Sequence, residues 1–219
     1  MEEHILALPK GRILEEATAV LEAAGMAPEA DFFDEGSRAL KFSSARAGLR
    51  VIKVRSFDVA AFVSYGAAAF GIAGSDVVDE TARTRVYSPI DLRIGRCRLS
   101  VAAVEGVCPY ARADERGYAV VATKYPTLAA EHFAGRGVRA ECVKLHGAME
   151  LAPILHMCDC IVDLVSTGRT LKENGLTELE KVADVSSRFI VNRAYYKLYP
   201  KQATAIVKVM EEARDRVFG

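Results

Sequence analysis

Between residues 160 and 176 the chain reads Cys-Ile-Val-Asp-Leu-Val-Ser-Thr-Gly-Arg-Thr-Leu-Lys-Glu-Asn-Gly-Leu, an apolar run, a hydroxyl-rich turn with one glycine, and the opening of a helix. Residues 160–165 have the length and character of a strand, and 171–174 form one or two helical turns that stop at Gly175. A strand that hands over to a helix through such a turn presents unpaired backbone N–H groups and the positive end of the helix dipole. Ser166, Thr167 and Thr170 add hydroxyls, Gly168 lets the backbone approach an anion closely, and Arg169 adds charge. The turn therefore suits a phosphate, and Asp163, which precedes it on the strand, suits ribose hydroxyls. A Thr-Gly-x-Thr turn alone is also an ordinary polar loop, so the rest of the chain has to decide.

The same unit recurs. Strand 5–8 ends in Pro9-Lys10-Gly11-Arg12, and helix 13–24 follows with apolar residues at helical spacing, closed by Gly25. Lys10 and Arg12 oppose the dipole at that helix start, so a bound anion would account for them; two solvated charges are the other reading. Arg38 precedes residues 41–43, strand 49–54 alternates, and Arg55 sits at its end before Ser56, an N-cap for helix 57–65. Open α/β sheets hold ligands at the carboxyl ends of their strands, which makes Arg38 and Arg55 candidates alongside Lys10, against a surface-charge alternative. Run 68–73 reads as a buried parallel strand, and Asp76 as a cap for helix 77–81.

Segment 87–94 reads as an extended crossing into a second domain. A second series follows from 98–105: strand 118–123, helix 127–133, strand 139–144, helix 148–157 and strand 160–165. Loop 106–117, charged and carrying Pro109, is the expected mobile segment. Two strand-like runs, 179–185 and 189–191, and helix 201–217 close the chain. The simplest topology is a discontinuous domain I of 1–94 plus 179–219, with a domain II of 95–178 that carries the phosphate loop. These would be two α/β lobes facing each other across a cleft.

Composition narrows the function. The 219 residues are 51% apolar and 26% charged, enough for a substantial core, and Lys plus Arg equals Asp plus Glu at 29 each. No net field points to nucleic acid or an anionic membrane, so any anion site is built locally. The start Met1-Glu2-Glu3 lacks a basic signal region, and the apolar stretch 59–73 is interrupted by Ser64, Gly66 and Gly71, so a cytoplasmic location is expected. Cys97, Cys108, Cys142, Cys158 and Cys160 are odd in number and irregularly spaced, as reduced thiols are. His156-x-Cys158-x-Cys160 lacks the second pair that zinc sites use, and no resident metal is expected.

Taken as a set, the following segments resemble the ATP phosphoribosyltransferase family, in order and over nearly the whole chain: Leu8-Pro9-Lys10-Gly11-Arg12, Arg55 before its helix, Gly71-Ile72-Ala73-Gly74-Ser75-Asp76, Arg96-Cys97-Arg98-Leu99, Val121-Ala122-Thr123-Lys124, Lys144-Leu145-His146-Gly147-Ala148-Met149-Glu150-Leu151-Ala152-Pro153 and Asp163-Leu164-Val165-Ser166-Thr167-Gly168-Arg169-Thr170-Leu171. The resemblance implies transfer of the phosphoribosyl group of phosphoribosyl pyrophosphate to N1 of ATP, the first step of histidine biosynthesis, with Mg2+ carried by the substrates. It implies a two-lobed α/β fold like the type II periplasmic binding proteins, with the active site in the inter-domain cleft. The chain ends after its last helix, as in the short form, whose members form homodimers. These assemble with a histidyl-tRNA-synthetase-like regulatory subunit into a hetero-octamer.

By the same resemblance, Ser166, Thr167, Gly168, Arg169 and Thr170 hold the ribose 5-phosphate, and Asp163 and Glu150 lie near the ribose hydroxyls. Lys10, Arg38 and Arg55 neutralise the departing pyrophosphate, and Arg12 and Asp76 are carried over as nucleotide-binding, with Cys97 beside them. Glu150 also reads as a solvated helix-face residue. Adenine N1 attacks through a lone pair that bears no proton, so the site calls for cations, amides and Mg2+ rather than a general base. Ser75 and Ser166 depart from the lysine and the acid that many relatives carry. Two other classes remain: a non-catalytic two-lobed small-ligand binding module, usually exported, and a salvage phosphoribosyltransferase acting on a free base. The paired acids of the latter are missing, since Leu164 follows Asp163.

Overall fold

The computed structural model describes residues 3–34 and 36–219. Met1 and Glu2 of the acidic start, and Glu35, lie outside the described residues. The chain forms two compact units, one of Met1–Gly95 with Ser186–Gly219 and one of Arg96–Val185. The first begins with β1 (His4–Pro9), α1 (Arg12–Ala23), β2 (Phe42–Ser43), β3 (Leu49–Val54), α2 (Val59–Ser64), β4 (Phe70–Gly74), α3 (Ser75–Thr81) and β5 (Val86–Asp91). The second comprises β6 (Cys97–Val104), α4 (Pro109–Arg116), β7 (Ala119–Thr123), α5 (Pro126–Ala134), β8 (Ala140–Lys144), α6 (Leu151–Ile154), β9 (Cys160–Val165), α7 (Arg169–Glu173) and β10 (Leu176–Val185). β11 (Ser187–Asn192), α8 (Arg193–Leu198) and α9 (Pro200–Phe218) return the chain to the first unit.

Strand alternation sorts the first unit into three layers. Its sheet runs β2-β3-β1-β4-β11-β5, with β1 parallel to β3 and β4, and β11 antiparallel to β4 and β5. Leu6, Leu8, Val51, Phe70, Ile72 and Phe189 face one way and pack with Leu14, Ala17 and Leu21 of α1 and Ile206, Met210 and Ala213 of α9. Ala7, Ile52, Ala73 and Ile190 face the other way, onto Val59 and Val63 of α2 and Val77 and Val78 of α3. Each fully buried Leu or Phe contributes about 1.5–3 kcal/mol, so the two faces together hold most of the stabilisation. Arg216 Nη2 donates to the carbonyl of Ala23 at 2.7 Å, which ties the last helix to the end of α1.

The second sheet runs β10-β6-β9-β7-β8. β9 is parallel to β7 as far as Val162 and antiparallel to β6 as far as Val165, so β6 holds its carboxyl end. The buried Asp159 carboxylate accepts from the Val120 amide at 2.8 Å, from Arg112 Nη1 at 3.1 Å and from Arg116 Nη2. That ion pair docks α4 on the start of β7.

Several expectations are corrected. Segment 106–117 is not a loop: Pro109 sits in the first turn of α4, where its missing N–H costs nothing, Gly117 closes the helix at φ 84°, and Asp159 holds it. Segment 87–94 is no crossing, because Val86–Asp91 is an edge strand on β11. The helix expected over 148–157 shrinks to Leu151–Ile154, since Ala148 at φ 50° and His156 at φ 57° interrupt it on either side. α2 starts at Val59, so Ser56 does not cap it and donates instead to the Lys10 carbonyl at 3.4 Å. The second passage between units, expected at 178/179, falls at 185/186. β10 is ten residues long and pairs with β6 as far as Val185, staying in phase through register shifts at Glu178/Glu180 and Lys181/Ala183.

The five cysteines are free thiols, and burial raises the Cys158 and Cys160 thiols above their ordinary values. No helix among the described residues is long and apolar enough to cross a membrane.

Gly71 sets the distance between α2 and β4: a Cβ there would meet Val59 Cγ1 and Val63 Cγ2, each at 2.8 Å. Gly71→Ala is expected to destabilise the protein by about 1–3 kcal/mol in urea unfolding, as overpacking does. An unchanged midpoint would show that α2 gives way freely.

Candidate functional site

The turn after β9 is built around Gly168, which adopts φ 76° and ψ 3° as the N-cap of α7, a conformation that L side chains resist. The left-handed residue lets the chain reverse from strand to helix within three residues. Leu171 is buried with Val165 and Leu176 in one cluster and pins the short helix to the sheet. The amides of Thr167, Gly168, Thr170 and Leu171 donate to no backbone or side-chain acceptor among the described residues, while the Arg169 amide donates to Thr167 Oγ1 at 3.4 Å. Ser166, Thr167, Arg169 and Thr170 are exposed and Gly168 is half-buried. The structure thus brings together all five residues assigned to the phosphate turn.

Asp163 is half-buried on β9, with one carboxylate oxygen accepting from the Leu164 amide at 2.9 Å. Glu150 is half-buried at the N-cap position of α6, where its neighbours Met149 and Ala152 share the core cluster of Val165 and Leu171.

Three residues absent from the expected site hold the turn. Arg98 Nη1 donates to the Ser166 carbonyl at 3.1 Å, and Arg98 Nε and Nη2 donate to the two carboxylate oxygens of Glu178, each at 2.5 Å. Ser100 Oγ adds a bond to the same carboxylate at 2.8 Å. The Arg98 fork, supported by the Ser100 hydroxyl, keeps the Glu178 carboxyl below the usual carboxylate range. Arg98 stood in one of the quoted motifs, but Ser100 and Glu178 become visible only through the pairing of β6 with β9 and β10, which spacing along the chain does not reveal.

In the first unit, Lys10 follows β1, its amide donating to the Val54 carbonyl at 3.0 Å, which sets it beside the end of β3 where Arg55 is exposed. Gly11 at φ 81° turns the chain into α1. Lys10 and Arg38 line one cavity of about 730 Å3 with Lys53, the rings of Phe33 and Phe42, and the carboxylates of Glu15 and Asp34. Lys53, which sequence reading passed over as one face of a strand, holds its ammonium 4.6 Å from the centre of the Phe32 ring. Arg55 is outside that lining.

Arg12 is exposed and paired with Glu16 at 3.6 Å, and Glu16 also accepts from the Gly95 amide at 2.7 Å. Asp76 is a correction: it is not the cap of α3, whose N-cap is Gly74, and it is only 6% exposed. Its carboxylate lies so close over Gly74 that a Cβ there would collide with Oδ1. Ser75 is stitched to the return strand, its amide donating to the Ser186 carbonyl at 2.9 Å and its Oγ accepting from the Ser186 amide at 3.3 Å. Cys97 is half-buried at the start of β6.

The model of the HisG family, ATP phosphoribosyltransferase, matches residues 55–212. The ATP phosphoribosyltransferase of Rhodospirillum rubrum is 52% identical over 216 residues, 97% of this chain and 94% of that protein. That of Novosphingobium aromaticivorans is 53% identical over 214 residues, 96% of each. Among solved structures, the ATP phosphoribosyl transferase (HisG:HisZ) complex from Thermotoga maritima superimposes with a TM-score of 0.81 at 28% identity, covering 97% of this chain and 99% of that one. The Bordetella pertussis BvgS VFT2 domain gives 0.57 at 10% identity over 97% of this chain and 86% of its own, a likeness of fold alone that agrees with the type II periplasmic-binding-protein-like class. With about half its residues shared across nearly its full length, the chain belongs to the ATP phosphoribosyltransferase family.

Proposed function

We propose that this chain transfers the phosphoribosyl group of phosphoribosyl pyrophosphate to N1 of ATP, giving N1-(5-phosphoribosyl)-ATP and pyrophosphate, the first step of histidine biosynthesis. The observation that carries this reading is the set of four unpaired amides after β9, beside the hydroxyls of Ser166, Thr167 and Thr170, in a chain of this family. Such a nest suits the ribose 5-phosphate. Asp163 on the strand beneath, with Glu150, would accept hydrogen bonds from the ribose hydroxyls. Arg169 adds a cation at the same turn.

Lys10, Arg38 and Arg55 would neutralise the pyrophosphate as it gains charge, and the cavity adds Lys53 to that set. Arg12, at the start of α1, would meet a nucleotide phosphate by exchanging its exposed pair with Glu16, a pair of small intrinsic worth. Mg2+ would enter on the phosphate oxygens of the substrates and spread the developing negative charge. The reacting adenine nitrogen needs no base, so these residues act by orientation and electrostatics. The HisG:HisZ complex of the Thermotoga relative supports a regulatory partner for this chain, in a hetero-octamer built on homodimers of the short form. We place the protein in the cytoplasm, where its free thiols stay reduced.

Incubating the protein with Mg2+, ATP and phosphoribosyl pyrophosphate, with and without the HisZ-like subunit, is expected to yield phosphoribosyl-ATP; no product under either condition overturns the reading. Thr170→Val should weaken phosphoribosyl pyrophosphate binding about ten-fold, because a hydrogen bond to a charged group contributes ~1.5 kcal/mol or more. Calorimetric titration checks this, and unchanged affinity removes Thr170 from the site. Arg55→Ala should lower kcat more than it raises KM, since its partner gains charge along the reaction. If steady-state kinetics show only KM rising, Arg55 serves ground-state binding instead.

A further inference from the structure

The contacts of Arg98 assign it a part in the phosphate turn that is separate from its charge. Arg98 and Ser100 alternate on one face of β6, and Glu178 on β10 pairs opposite Ala102, two residues further along that face. The register shift between Glu178 and Glu180 falls where this carboxylate meets the guanidinium. Two parallel bonds fix the guanidinium plane, and the hydroxyl of Ser100 holds one carboxylate oxygen from a second direction. The remaining arm of the fork, Nη1, reaches the Ser166 carbonyl at 3.1 Å.

That carbonyl belongs to the same planar unit as the Thr167 amide, and there is no cis peptide bond among the described residues. In a trans peptide the C=O and N–H point in opposite directions, so a donor that captures the oxygen also aims the hydrogen. Thr167 is the first of the four amides without a protein acceptor. The positive charge of Arg98 is matched by Glu178, so what it lends the turn is direction rather than field.

We propose that Arg98, locked by Glu178 and Ser100, is a positioning residue that orients the 166–167 peptide so that the Thr167 amide meets the bound phosphate. The inference rests on the reading of this turn as the ribose 5-phosphate site. It makes the turn pre-organised: the peptide is held in its binding orientation by the β6–β10 pair before any ligand arrives. In the free protein the lost rotation has already been compensated by the three bonds to Glu178, so the ligand does not bear it on binding.

The test uses the full chain with ribose 5-phosphate and phosphoribosyl pyrophosphate as probes, titrated calorimetrically against wild type, Arg98→Lys, Glu178→Gln and Ser100→Ala, alongside steady-state kinetics. Arg98→Lys keeps the charge and loses the fork, and it should weaken both phosphate esters about ten-fold. Glu178→Gln should do the same without touching the ligand, and Ser100→Ala should give a smaller loss in the same direction. The double variant Arg98→Lys/Glu178→Gln should be no weaker than the worse single one, because the two act through one peptide. KM for phosphoribosyl pyrophosphate should rise while KM for ATP holds, a split that general loosening of the second unit would not produce. Should Glu178→Gln fail to fold, Arg98→Lys and Ser100→Ala decide the matter by the same split. Wild-type affinity in these folded variants overturns the positioning role, as does an equal rise in both KM values. Failure of the wild type itself to bind ribose 5-phosphate overturns the reading of the turn instead.

Discussion

Four backbone N–H groups in the turn after β9 and the start of α7 have no acceptor among the described residues, and the second unit is arranged so that this is tolerable. Thr167 and Thr170 are exposed and Gly168 is half-buried, so water reaches the turn in the free protein and the full penalty of a buried orphan donor does not apply to these three; Leu171 is buried. Replacing that water by phosphate oxygens gives charge-assisted bonds, each contributing roughly 1.5–3 kcal/mol. Four at the lower figure sum to about 6 kcal/mol, which corresponds to binding between millimolar and micromolar. Amides alone therefore seat a sugar phosphate but do not hold a diphosphorylated one tightly. Cations have to supply the difference, and a chain with 29 charges of each sign has to gather them locally.

Within the first unit, cations cluster at the ends of β1 and β3. Cations at the start of α1 oppose its dipole, and the fold answers part of this within the helix, since Glu16 pairs with Arg12 and Glu15 lies in the first turn. Lys10 precedes that helix and shares a cavity with Arg38 and Lys53. The ammonium of Lys53 rests over the Phe32 ring, an attraction of about 0.5–2 kcal/mol that holds the cation in place without neutralising it as a carboxylate would. Asp34 and Glu15 on the same lining moderate the repulsion among the three.

What the sequence made legible follows from how far each signal reaches. The strand–turn–helix units, the apolar spacing of α9 and the glycine turn at 166–170 are written in runs of adjacent residues, and all three reappear in the structure. The helix at 109–116 reads as a loop in sequence because charge dominates its composition, while the partner that anchors it, Asp159, lies 43 residues beyond Arg116. Run 179–185 reads as a strand of the first unit, and only its pairing with β6 as far as Val185 shows that it belongs to the second. Asp76 carried the composition of a ligand-binding acid and proved to be folded over Gly74. In each case the missing information was a contact between residues far apart in the chain, and periodicity cannot encode that.

The two departures from the family pattern, Ser75 and Ser166, can be weighed on the same physical terms. At both positions the fold takes hold of the main chain: the Ser75 amide bonds to Ser186, and the Ser166 carbonyl bonds to Arg98. The Ser166 side chain is exposed, and neither it nor its identity enters the bond that orients the following peptide. An acid at 166 would place a negative charge next to the site of a dianion, so serine there removes a repulsion while leaving the amides where they are. A site whose first contacts are backbone amides depends on local conformation more than on side-chain identity. What it cannot lose is the geometry, which in this turn is set by Gly168 within the chain and by Glu178 through Arg98 from across the sheet.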